Sequence, residues 1–143
     1  MRRVLIGLVL GLTAIAAWPS QLEAQGALAV GTDGDIATDG VAIGGSYDKS
    51  TKAEAIAAAL ADCRTHTDIP KAAAQCKIVG TFSKACYGVA FDPKSGTPGA
   101  GWAIAANLAA ARKQAMANCR ATAGASRSKF CQITDIYACD HHN

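Results

Sequence analysis

"ALADCRTH", residues 59–66, and "AMANCRAT", residues 115–122, are two versions of one phrase. Leu60 falls on Met116, Asp62 on Asn118, Cys63 on Cys119 and Arg64 on Arg120. The match continues downstream, where "CKIVGTF" at 76–82 falls on "CQITDIY" at 131–137, Ile78 on Ile133 and Phe82 on Tyr137. Upstream of each helical stretch lies a short apolar run, "GALAV" at 26–30 and "YGVAF" at 87–91. From residue 25 on, the chain therefore reads as one unit written twice, over 26–86 and 87–140. Two copies are too few for an open solenoid, so a closed, pseudo-twofold domain is expected.

Each unit reads in the same order. The apolar runs are bounded by turn residues, "GTDGD" after the first and "DPKSGTPG" after the second, and read as strands. "VAIGGSY" at 41–47 and "GWAIA" at 101–105 are their returning partners. A helix follows. Thr51 with Glu54 forms a capping box, in which each side chain takes a backbone N–H at the helix start. Asn107, at the equivalent place, is also a good cap. Ile56, Leu60 and Cys63 recur on one helical face; Leu108, Ala111, Ala115, Met116 and Cys119 do so in the second copy, where Arg112 replaces Ile56. "CKIVGTFSKAC" and "CQITDIYAC" close the units as strands. The expected fold is α+β: two pseudo-repeats of strand–strand–helix–strand, an antiparallel or mixed sheet with two helices on one face, stapled by disulfides.

The duplicated arrangement resembles bacterial exported proteins grouped as a domain of unknown function, with "YGAIA"-type strands and tandem "AEAxAxxxC…CxVV" units. The residues that carry the resemblance are Gly26–Val30, Ala53–Cys63, Cys76–Val79, Tyr87–Phe91, Ala109–Cys119 and Cys131–Ile133. This chain departs in a long first helix-to-strand loop, 64–75, and in a Gly-Trp in the second hairpin. The resemblance implies fold and export, and brings no activity with it.

Export is also legible at the start. Arg2 and Arg3 precede an apolar run from Val4 to Trp18, and Pro19 ends it. This is the pattern of a secretory signal peptide, too short to span a bilayer comfortably. Cleavage after Ala24 makes 1–24 the signal and 25–143 one domain, periplasmic or secreted, with no membrane span afterwards. Removing Arg2, Arg3 and Glu23 leaves 12 basic and 10 acidic residues. That balance argues for no nucleic-acid partner.

All six cysteines lie beyond residue 60. In an exported chain an even count reads as a disulfide framework. The stretch between Cys63 and Cys76 also contains His66, which admits a zinc site or a Cys–His catalytic pair. The second copy favours a disulfide staple over either. Its cysteines return, but Ala121, Thr122 and Ala123 occupy the region of the histidine. A staple from helix end to strand start explains both copies, hence Cys63–Cys76 and Cys119–Cys131, and by elimination Cys86–Cys139. Such a staple adds about 3 kcal/mol, which an alanine-rich core of this size needs.

Other motifs fall away. "DGDIATDG" at 33–40 fails as an EF-hand, because Ala37, Thr38 and Gly44 stand at loop positions that need oxygen, glycine and glutamate. The tail Asp140, His141, His142 is a poor metal site at a chain end. No catalytic serine or phosphate-loop motif is present, and Glu54, the one glutamate beyond the signal, serves the capping box. The expectation is a non-catalytic binding module without cofactor or metal, whose partner is another envelope or secreted protein, or an envelope polymer. Loops 31–40, 64–75 and 92–99 differ between the copies and would carry specificity. Tyr47, His66, Tyr87, Trp102 and Tyr137 are the candidate anchors. The alternatives are a small hydrolase or thiol enzyme using Cys63 and His66, and a structural envelope component.

Overall fold

The computed structural model describes residues 25–140; the expected signal segment, 1–24, and His141, His142 and Asn143 lie outside them. The first half contains β1 (Gln25–Gly31), a short helix α1 (Ile36–Asp39), β2 (Ala42–Lys49), α2 (Lys52–Cys63), a short helix α3 (Pro70–Ala74) and β3 (Lys77–Phe82). The second contains β4 (Cys86–Phe91), β5 (Ala100–Ala105), α4 (Leu108–Arg127), a 3-10 turn at Ser128–Phe130 and β6 (Gln132–Cys139). The class is α+β and the unit is strand–strand–helix–strand, twice. The boundary between units falls between Phe82 and Cys86, not after Cys86.

The strands form two antiparallel sheets of matching order, β2-β1-β3 and β5-β4-β6, rather than one. The helices consequently do not share a face. Alternation along the central strands explains both differences. Ala27 and Ala29 of β1 pack under α2 with Ala55, Ala59 and Cys63. Leu28 and Val30 face the other way and meet Tyr87 and Val89 of β4. Ala90 of β4 turns outward again, to Ala115, Cys119 and Ala123 of α4. The order of layers is thus α2, first sheet, second sheet, α4. Strands buried on both faces read as the unbroken apolar runs seen in "GALAV" and "YGVAF".

Small residues set the helix-to-sheet spacing. A Cβ at Gly44 of β2 would collide with the Ala59 carbonyl and Cys63 nitrogen of α2, and one at Gly101 of β5 with the Ala115 carbonyl and Cys119 nitrogen of α4. The helical face in contact is accordingly Ala55, Ala59 and Cys63, with Ile56 and Leu60 at its margin.

The caps are made. Thr51 Oγ1 accepts from the Glu54 N–H and Glu54 Oε2 from the Thr51 N–H; Asn107 Oδ1 accepts from Ala110. The disulfides are Cys63–Cys76, Cys119–Cys131 and Cys86–Cys139. The first two each tie a helix to the strand that follows it. The third joins directly opposed residues of β4 and β6 inside the second sheet, so it does not lock the two copies to each other. Beyond the shared core, Asp140 supplies a polar link between them. Its buried carboxylate accepts the N–H of Asp48, at the end of β2, and of Lys84, in the connection between units. Both donors have left-handed backbones, φ 52° and 51°, a conformation that needs such support in non-glycine residues.

Register changes one pairing read from the sequence. Ala29 and Ala27 of β1 face Ile78 and Thr81 of β3. The equivalent Ala90 and Gly88 of β4 face Ile133 and Tyr137 of β6. The bulge in β6 holds one more residue, so Tyr137 stands where Thr81 does, and Ala138 where Phe82 does. A slip of one residue turns a side chain to the opposite face. Bulk is exchanged between strands in consequence. The first unit pairs Gly26 with Phe82, the second Tyr87 with Ala138. The Phe82 and Tyr87 rings then pack 6.0 Å apart between the sheets.

Candidate functional site

The two quoted phrases act as clamps at the ends of α2 and α4. Asp62 Oδ2 accepts the N–H of Gly45 in β2 (3.0 Å). Its counterpart Asn118 donates Nδ2–H to the carbonyl of Trp102 in β5 (2.8 Å). His66 Nε2 lies 2.9 Å from the carbonyl oxygen of Ile43; a carbonyl only accepts, so Nε2 carries the proton. Thr122, four residues after Asn118 as His66 is four after Asp62, donates Oγ1–H to the carbonyl of Ala100 (2.7 Å). His66 and Thr122 therefore perform one task, each tying its helix end to an outer strand. The thiol-enzyme alternative loses its nucleophile here, because Cys63 is bonded to Cys76 and no described cysteine is free.

The candidate anchors separate. Tyr87 is 6% exposed, in the core between the sheets; burial first, then the Asp62 carboxylate and Tyr47, push its phenol up to about 12. Trp102 is half-buried against the same core. Tyr47 and Tyr137 are exposed, at 52% and 44%. They flank an open depression at the seam of β2 and β6 that also holds Asp135. The tail carboxylate Asp140 is engaged as described. Among the described residues no group of three or more His, Cys, Asp or Glu is placed to hold a metal ion.

The three divergent loops meet at the opposite end of the sheets. Ile36–Val41, Ile69, Phe91–Thr97 and Gly99 line one cleft of about 440 Å³. Its apolar residues are Ile36, Val41, Ile69 and Phe91, and its polar ones include Thr38, Lys94, Ser95 and Thr97. The walls are braced. Lys71 of α3 pairs with Asp39 of α1 at 2.8 Å, joining loop 64–75 to loop 31–40. The ammonium lowers the Asp39 pKa, and Asp39 raises that of Lys71. On the other wall Arg127 grips Asp92 with two hydrogen bonds, from Nε (2.5 Å) and Nη2 (2.7 Å). The guanidinium, with the Lys94 N–H in support, brings the Asp92 carboxyl down to about 2. Asp92 also closes its own loop, its N–H donating to the Gly99 carbonyl. Both carboxylates of the cleft are thus committed to holding loops.

The sequence named the three loops but not the residues that make the cleft. Ile69 and Val41 carry no pattern that distinguishes them from packing residues. Asp92 and Arg127 are 35 residues apart, and only the hairpin and the length of α4 bring them together.

Fold and cleft define a small, three-disulfide α+β domain of two intimately packed repeats. Residues 24–139 match the family model described as Domain of unknown function (DUF4189), and the chain belongs to that family. No curated protein and no solved structure matches it. Among the described residues no helix is long and apolar enough to cross a membrane.

Proposed function

We propose that the chain is an exported, non-catalytic binding module that grips a segment of another envelope or secreted protein between its three divergent loops. The observation that carries this reading is the convergence of loops from both repeats on one braced cleft. A rigid frame with variable loops at one end is the common construction of a recognition domain. The two carboxylates at the cleft are occupied by Lys71 and Arg127, which favours recognition over acid–base chemistry. Three disulfides suit an oxidising compartment, and the leader-like first 24 residues agree with a periplasmic or secreted destination.

A photo-crosslinker placed at Ser95 tests the partner. We expect one protein partner from envelope or culture fractions, lost in Ile69→Asp when circular dichroism shows that variant folded. A blank across several growth conditions, or capture that survives Ile69→Asp, overturns the reading; capture of a polymer alone replaces the protein partner. Intact mass tests export: cleavage after Ala24 and a mass about 6 Da below the fully reduced chain are expected.

A further inference from the structure

The Cys86–Cys139 disulfide differs from the other two in position and in surroundings. Cys63–Cys76 and Cys119–Cys131 recur with the repeat, and each lies in a layer between helix and sheet. Cys63 and Cys119 are fully buried, and Cys76 and Cys131 nearly so. Cys86–Cys139 has no counterpart. The first repeat pairs Gly26 with Phe82 where the second pairs Tyr87 with Ala138. One residue further out, Gln25 and Ser83 stand where the second repeat has Cys86 and Cys139. The first repeat thus closes the same pair of strands without a covalent bond.

Strand pairing in the second repeat does not depend on the bond either. Tyr87 faces Ala138 on one side of it; on the other, the Asp140 N–H donates to the Ala85 carbonyl. The bond is also open to an incoming group. Cys86 and Cys139 border one open depression of about 540 Å³, and Cys139 borders the depression beside Tyr47 as well. Cys86 is buried and Cys139 half-buried, so Cys139 is the more accessible of the two. The larger depression also contains Lys84 and the start of α4, at Asn107 and Leu108. Cations and helix N-termini favour a thiolate. The carboxylate there, Asp140, has both oxygens occupied by backbone N–H groups.

We propose that Cys86–Cys139 is a thiol-exchange site, opened in the folded protein by a dithiol reductant. A thiolate of the reductant attacks Cys139 Sγ. A bond forms between those two sulfurs, the Cys86–Cys139 bond breaks, and its electron pair leaves on Cys86 as a thiolate. The second thiolate of the reductant then attacks the reductant's own sulfur in the mixed disulfide and frees Cys139. The reductant departs as a disulfide, oxidised by two electrons. Cys86 and Cys139 receive those electrons with two protons and end as thiols. The bond spans 53 residues, against 13 and 12 in the other two, so on chain-entropy grounds its loss destabilises most. Exchange here therefore lowers the stability of the domain and leaves its strand order intact.

The oxidised protein is exposed to dithiothreitol, a small dithiol, and separately to reduced thioredoxin, a protein dithiol. Thiols are captured with a maleimide at intervals and mapped by mass. Cys86 and Cys139 are expected to be labelled at least about tenfold faster than the other four cysteines, with circular dichroism unchanged and Tm lowered. Faster exchange per thiol with thioredoxin assigns the site to protein dithiols, and faster exchange with dithiothreitol to small ones. The attacked sulfur is tested with oxidised glutathione. Cys86→Ser should form the mixed disulfide at Cys139 at least about tenfold faster than Cys139→Ser forms it at Cys86. Three bonds that open together, another bond that opens first, or reduction only in urea that unfolds the chain overturns the proposal. Equal rates in the two variants overturn attack at Cys139. Should either variant fail to fold, the order of reduction in the unaltered chain still decides. None of these outcomes bears on the Ser95 crosslink, so the two readings fail separately.

Discussion

Asp92 shows how one residue links a loop to a helix end, and how pH should reveal it. Its carboxyl sits at about 2 against an ordinary 3.8, held there chiefly by Arg127. A carboxylate with a folded pKa below its unfolded one stabilises the fold above the unfolded value. That contribution fades as pH falls from about 4 towards 2. Unfolding midpoints of Asp92→Asn should therefore be lower than wild type at pH 6, with the gap closing by pH 2; a gap constant with pH refutes the assignment. Gly44 makes a second residue-scale case. Gly44→Val drives side-chain carbons into the backbone of α2 and should cost about 3 kcal/mol in urea unfolding. Gly34→Ala, in open space but at φ 102°, separates strain from collision and should cost about 1 kcal/mol.

At the scale of elements, each long helix is fastened at its end to both outer strands of its own sheet. Polar groups from Asp62 and His66, or Asn118 and Thr122, hold the second strand. A disulfide holds the third. The histidine that suggested chemistry in the sequence is one member of this fastening. His66→Ala should lower stability by about 1 kcal/mol, and Thr122→Ala by a similar amount, each measured by denaturant unfolding; a His66 variant of unchanged stability would return the residue to functional candidacy. The helices, their caps and the closing strands were legible because cap residues and helical spacing are local signals. The bulge in β6 was not. An extra residue leaves alternation readable on either side, and only the partner strand shows which face Tyr137 takes.

For the whole molecule, stability depends on the two sheets meeting. Leu28, Val30 and Ile43 from the first unit share one core with Tyr87, Val89 and Ala138 from the second. Neither sheet buries that face alone. Leu28→Ala should cost about 3 kcal/mol, and the loss should be felt across both units. Trp102, in the second unit, is the one tryptophan beyond residue 24. Its fluorescence transition and the far-UV circular dichroism transition should shift together in Leu28→Ala. Separate transitions would mean that the units fold independently.

The duplication in the sequence determined the order of strands and helices and the α+β class, because repeated spacing reports local geometry. It also pointed to the cysteine staples, which recur with the repeat. Tertiary structure alone decided that the strands form two sheets, that the helices take opposite outer faces, and that loops 31–40, 64–75 and 92–99 meet around one cleft. The reason is physical. Alternating alanine and larger residues state that a strand has two different neighbours, but not which element supplies each. That choice is made when Leu28 and Val89 find each other across the interface and the alanines are left for the helices.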